Sequence, residues 1–182
     1  MNEALLIENC RRQDSKAQHL LFDSHADALL PICIRYLKSL HDAEDAMLRG
    51  FEKFFRNVNQ FEYRGEGSVR AFLRQIVIRE CLMSLRQEKR LTSLEEGDAE
   101  ALIDSATDIL SGLSAKEIFR LISELPDGYR TVFNLFEVEQ YTHEQIASEL
   151  GLTVGTSKSQ LSKAKALLRK RLQQTSGVYG NK

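Results

Sequence analysis

Apolar positions recur at three- and four-residue spacing along almost the whole chain, and no run alternates with period two, so the pattern predicts helices and no strands. Helices are predicted over 3–10, 15–38, 42–59, 68–90, 115–124, 127–138, 143–150 and 154–173. The clearest signals lie near the C-terminus. Thr142 and Gln145 have the T-x-x-Q spacing of a reciprocal capping box. Ile146, Ala147 and Leu150 then share one face, and Gly151 supplies the left-handed residue that stops the helix. Ala147 is small where two helices must approach. After a tight turn, Thr153 is placed to cap a second helix, which would bury Leu161, Ala164, Leu168 and Leu172. The prolines are Pro31 and Pro126, the latter where a helix's first turn tolerates it. The fold class is therefore all-α, with three main helices in an N-terminal bundle and a C-terminal four-helix unit.

Net charge is −1 over 182 residues, but the charge is segregated. Residues 1–90 hold 15 basic and 13 acidic groups; residues 91–113 hold six acidic and no basic ones; residues 114–182 hold 10 basic and seven acidic. The acidic block also contains Gly97 and Gly112 and reads as a linker, with one short helix around Asp98–Leu110. Two small helical domains, 1–90 and 114–182, are thus joined by an acidic linker. The second of them ends in a helix carrying Lys158, Lys163, Lys165, Arg169, Lys170 and Arg171, with no acid between Val154 and Leu172. A bundle helix with an ordinary solvated face would mix both signs. Short polar residues for base edges followed by long cations for phosphates are what a major-groove reader needs.

The N-terminal half carries two further features. Asp42, Glu44 and Asp45 open a predicted helix whose apolar set, Met47, Leu48, Phe51, Phe54 and Phe55, is wider than one core stripe requires. That surplus serves either a partner or the bundle core. The second is the loop Phe61–Ser68, which leads into a helix rich in arginine; from Arg64 to Arg90 there are seven basic and three acidic residues. Aromatics interleaved with cations hold unstacked bases and their backbone, although Phe61, Tyr63 and Phe72 also suit a core.

Cys10, Cys33 and Cys81 are far apart with no histidine at ligand spacing, so free buried thiols in a reducing cytosol are expected rather than a metal site. His19, His25, His41 and His143 are scattered surface or cap residues on this reading. No secretory signal, long apolar run, P-loop, GxGxxG, GxSxG or HExxH pattern occurs, so a cytoplasmic, non-enzymatic protein without cofactors is expected.

Two basic units, one suited to duplex and one to opened strands, carry a specific resemblance. The ordered residues are Asp42-Ala43-Glu44-Asp45 with Phe51 and Lys53, the loop Phe61–Ser68, and Phe72-Leu73 with Ile76 and Arg86. They continue with LPDGYRTVF at 125–133 and YTHEQIASELGLTVGTSKSQLSKAKALLRK at 141–170. Over about 17–90 and 114–172 the chain resembles a bacterial RNA polymerase sigma factor of the extracytoplasmic-function (ECF) type, in the sigma-70 family, with its regions 2 and 4.

The resemblance implies a monomeric initiation factor whose partners are RNA polymerase core, promoter DNA and an anti-sigma factor. It implies polymerase binding through Asp42, Asp45, Leu48 and Phe51. Opened −10 DNA would be held by Tyr63, Arg64, Phe72, Arg79 and Arg86. The −35 duplex would be read by Thr156, Ser157, Lys158, Gln160 and Lys163, exposed at the start of the last helix. The chain departs from the family pattern at Leu48-Arg49, usually Gln and an acid, at Phe72 (usually Trp), at Arg79 (often Asn) and at Met83 (usually Asp). The alternatives are a stand-alone helix-turn-helix regulator and a helical polymerase-binding module that does not read DNA.

Overall fold

The computed structural model describes residues 2–87 and 114–179, with side chains through Gln173, Ala115 apart. All regular elements among these residues are helical, and the chain divides into two compact units, 1–87 and 88–182. The acidic block at 91–113, with its predicted short helix, lies outside the described residues.

The first unit contains α1 (Glu3–Arg11), α2 (Ser15–Leu37), α3 (Leu40–Arg56), a 3-10 turn (Val58–Gln60) and α4 (Ser68–Gln87). Short polar side chains start these helices: Asn2 accepts from the Ala4 N–H, and Asp14 from those of Lys16 and Ala17, satisfying donors that have no partner within the helix. Ser39 does the same for α3, accepting from Asp42 N–H at 3.3 Å. The helix therefore begins two residues before its predicted start, and only Asp42 of the three acids lies in its first turn. It also ends sooner, because Val58–Gln60 tightens into the 3-10 turn.

Helices α2, α3 and α4 pack mutually around Leu21, Leu29, Tyr36, Leu37, Phe54, Leu73, Val77 and Leu85, all essentially inaccessible. Each such side chain contributes about 1.5–3 kcal/mol of transfer free energy. Gly50 sets the approach of α3 to α4: a Cβ there would sit 2.7 Å from Val77 Cγ1. One methyl group would force the two helices apart.

The second unit holds α5 (Ala115–Ser123), α6 (Asp127–Phe133), α7 (His143–Leu150) and α8 (Val154–Tyr179). Ser114 and Glu117 form a capping box on α5, a signal present in the sequence and overlooked there. Pro126 precedes α6 as its cap residue rather than entering the first turn. The predicted helix over 127–138 forms without interruption, wound as an α-helix over Asp127–Phe133 and as a π-helix over Asn134–Val138. The predicted capping box of α7 forms, with Thr142 N–H to Gln145 Oε1 at 2.8 Å and Gln145 N–H to Thr142 Oγ1 at 3.3 Å. Gly151 ends α7 at φ 67°, ψ 35°, a conformation any side chain would strain, and Leu152 N–H closes the turn on Ala147 C=O. Thr153 caps α8 through Thr156 N–H at 3.0 Å.

Helix α8 is the spine on which α6 and α7 pack, burying Leu161, Ala164 and Leu168 as predicted; Leu172 is only half-buried. Arg130 is wholly enclosed in this unit, donating to Leu125 C=O at 2.9 Å and pairing with Asp127 at 2.8 Å.

Candidate nucleic-acid and polymerase interfaces

In the first unit, Phe54, Phe61 and Phe72 form an edge-and-tilt cluster with centroid separations of 5.0–6.1 Å. Phe54 and Phe61 are buried, whereas Phe72 keeps 38% of its surface in solvent. The exposed ring forms one wall of a shallow depression of about 450 Å³, completed by Gln60, Phe61, Glu62, Arg64, Ser68, Ala71 and Gln75.

The loop that edges it is held from several sides. Arg11 donates to Phe61 C=O at 2.7 Å, Ser68 Oγ donates to Gly65 C=O at 2.7 Å, and Ser68 Oγ accepts from Arg64 N–H at 3.3 Å. Arg64 extends along the rim with Glu62 at 2.8 Å. Tyr63 turns towards α1. Burial, and then the Glu3 carboxylate with which it hydrogen-bonds, raise its hydroxyl pKa above the usual tyrosine value.

Of the predicted strand-binding residues, Arg64 and Phe72 meet at this depression, Tyr63 lies beside it, and Arg79 and Arg86 do not line it. They are nonetheless aligned with it. Phe72, Arg79 and Arg86 recur every seven residues, so they share one face of α4, with about 10 Å of rise between successive members. All three are exposed on that stripe, and so is Met83. Ser68 belongs to the loop singled out from the sequence; the lining residues Gln60 and Gln75 were not foreseen, since nothing in the pattern sets such polar groups apart from ordinary surface.

On α3 the predicted polymerase-facing residues divide. Leu48 is 52% exposed, on a helix whose core face is complete without it. Asp42 and Asp45 are half-exposed near it. Phe51 is a correction: at 2% exposure it belongs to the core, 4.7 Å from the Phe22 ring across α2. The surplus apolar set therefore divides, with Phe51 in the core and Leu48 exposed.

The second unit corrects the predicted base-reading set as well. Lys158 is exposed and Lys163 half-exposed, as foreseen. Ser157 and Gln160 are buried instead. Ser157 Oγ shares a 2.9 Å hydrogen bond with His143 Nδ1, and Gln160, 4% exposed, has neither amide atom paired. Thr156 is half-exposed, its hydroxyl 2.8 Å from that of Thr153. The reason is the breadth of the face that α8 turns towards α6 and α7: it takes in 157 and 160 along with 161, 164 and 168.

The His143 ring stacks on Phe136 at 4.5 Å and 23°, and Lys165 stands over the same Phe136 while pairing with Glu137 at 2.8 Å. Burial, reinforced by Lys158 and Lys165 against an opposing Glu144, lowers the His143 pKa, so the ring is neutral at neutral pH.

Comparison with known proteins decides the identity. The Sigma-70 region 2 family matches residues 21–91, and Sigma-70, region 4 matches residues 110–168. The chain belongs to the sigma-70 family of sigma factors, ECF type. It is a sigma factor that directs RNA polymerase to promoters.

The ECF RNA polymerase sigma-E factor of Haemophilus influenzae is 26% identical, over 95% of this chain and 96% of that one. ECF RNA polymerase sigma factor SigW of Bacillus subtilis is 25% identical over 91% and 94%. Among solved structures, the sigma factor RpoE from Bartonella quintana, in complex with the anti-sigma factor NepR, has a similar fold (TM-score 0.50, 21% identity, 81% of this chain and 91% of that one). The first unit of this sigma factor thus carries region 2, and the second region 4. No helix among its described residues is long and apolar enough to cross a membrane.

Proposed function

We propose that the two units divide initiation between them as follows. Region 2 docks on RNA polymerase core through the outer face of α3, where Asp42, Asp45 and Leu48 lie. Its depression takes one splayed base of the opened −10 element, which stacks on Phe72 beside Arg64 and Tyr63. The strand continues along α4 past Arg79 and Arg86. Region 4 lays α8 in the major groove of the −35 element. There Thr156 and Lys158 approach base edges, Lys163 holds a phosphate, and Ser157 and Gln160 act from beneath as packing residues. An anti-sigma factor, of the kind bound to the Bartonella protein, holds the free monomeric chain in the cytoplasm.

The observation that carries this reading is the depression with an exposed aromatic wall and a cationic rim, in line with two more exposed arginines. Stacking supplies affinity for any unpaired base, and no catalytic group is needed: differential affinity for the opened strand displaces the equilibrium towards melting.

The test is binding of fluorescent −10 single-stranded oligonucleotides by the holoenzyme. Phe72→Ala is expected to weaken this binding by about 1–3 kcal/mol, the value of one stacked base, with core affinity retained. Arg64→Ala is expected to weaken it less and to reduce its salt dependence. Equal binding and equal permanganate reactivity in both variants would remove the depression from the melting pathway.

A further inference from the structure

The least expected group in region 2 is Glu80. It lies in α4 with only 2% of its surface exposed, although most of its neighbours in the helix's buried face are apolar. Its Oε1 is 2.5 Å from Lys53 Nζ, and its Oε2 is 3.6 Å from Arg49 Nε without a hydrogen bond. Both cations come from α3 and are half-exposed. Arg49 also donates to Ser84 Oγ at 2.7 Å, and Lys53 Nζ lies 4.0 Å from Met83 Sδ. One buried carboxylate thus holds two long, otherwise mobile side chains flat along the seam between α3 and α4.

Burying a carboxylate costs several kcal/mol of desolvation, and ion pairs of this kind are often replaceable by apolar groups with no loss of stability. Stability alone is therefore a poor reason for Glu80. The cations it fixes flank a particular surface. Arg49 adjoins Leu48 in sequence, Lys53 is one turn further on, and exposed Met83 lies against Lys53. The outer face of α3 itself carries Glu44, Asp45 and Glu52. The helix therefore presents an acidic stripe interrupted by Leu48, bordered on the α4 side by a cationic one.

We propose that Glu80 is a positioning residue, fixing Arg49 and Lys53 to receive carboxylates of the polymerase surface that docks beside Leu48. The proposal rests on the docking of α3 proposed above and adds the chemistry of the contact: a polymerase surface with an apolar residue over Leu48 and acidic side chains towards α4. Charge complementarity selects that occupant, because two held cations beside two exposed apolar side chains match carboxylates set in an apolar surface.

The experiment measures affinity of the full-length chain for polymerase core, together with thermal melting. Glu80→Gln removes a negative charge. Were charge alone at work, acidic partner groups would bind more tightly; were Glu80 only structural, the melting temperature would fall in step with affinity. Positioning predicts a third result, core affinity weakened roughly five- to tenfold with an unchanged or higher melting temperature. Tighter or equal binding overturns the proposal, and so does a loss of affinity matched by a loss of stability.

Arg49→Gln leaves Glu80 paired with Lys53 and carries the test if Glu80→Gln does not fold; it should weaken core binding several-fold, and unchanged affinity overturns the proposal. Leu48→Asp separates the two levels. If it leaves core affinity intact, the docking of α3 is wrong; if it lowers affinity while Glu80→Gln does not, only the positioning role falls.

Discussion

The two units of this sigma factor solve opposite surface problems. Every exposed large hydrophobic residue among those described, Leu5, Leu20, Leu40, Leu48, Phe72 and Met83, lies in the first unit. Region 4 exposes none and offers cations on α8 instead. Duplex DNA shows phosphates outward and bases edge-on, so a reader of duplex needs charge and short polar groups. Opened strands and protein helices offer apolar faces, and meeting them requires uncovered aromatic and aliphatic surface. We propose that the difference is one of role: exposed Leu48 and Phe72 meet partners, whereas the polar Ser157 and Gln160 hidden at the start of α8 belong to a structural seam.

The sharpest attack on that comparison is at Gln160. If it is a packing residue with an unpaired amide, Gln160→Leu should stabilise region 4 by about 1 kcal/mol, since a buried unsatisfied polar group costs about 1–3 kcal/mol. Selection from a randomised −35 duplex pool should be unaltered. A lower melting temperature, or a changed base preference, would return Gln160 to the groove and erase the contrast with region 2.

A smaller effect is expected at Lys158. Replacing it with Ala should weaken binding to −35 duplexes and reduce the salt slope by about one phosphate contact. Binding to single-stranded −10 oligonucleotides should be unaffected. Any parallel loss there would show that the two surfaces are not specialised.

The smallest effect concerns pH. The folded His143 pKa is lowered, first by burial and then by Lys158 and Lys165, so near pH 6 the unfolded chain binds more protons than the folded one. The stability it confers is present above the unfolded histidine value near 6.5 and is lost as pH falls through the lower folded value. Melting at pH 7.5 and 5.5 should show a larger acid-induced loss for the natural chain than for His143→Gln. His25 of region 2, whose pKa burial also lowers, contributes in the same direction. Equal losses would place the pH sensitivity of both units elsewhere.

Much of the fold was legible because its signals are local. Thr142, Gln145 and Gly151 act within one turn of themselves, and the acid-free run from Val154 to Leu172 needs no partner to be noticed. The family resemblance rests on the same short, ordered motifs. The change to π-helix at Asn134 and the early start of α3 were less visible, because Leu40 suits a helix and its flank equally well and nothing local sets Asn134 apart from its α-helical neighbours.

What the sequence by itself determined was thus the helical periods, their caps, the segregation of charge and the presence of two separate chemistries. Only the tertiary structure decided how wide the inward face of each helix is. Periodicity defines a face but not its width; packing partners on either side set that width, and they drew in Phe51, Ser157 and Gln160 while leaving Leu48 and Phe72 outside. Glu80 shows the same limit most clearly. A lone glutamate reads as surface until the two cations that make its burial tolerable arrive from a helix some thirty residues earlier in the chain.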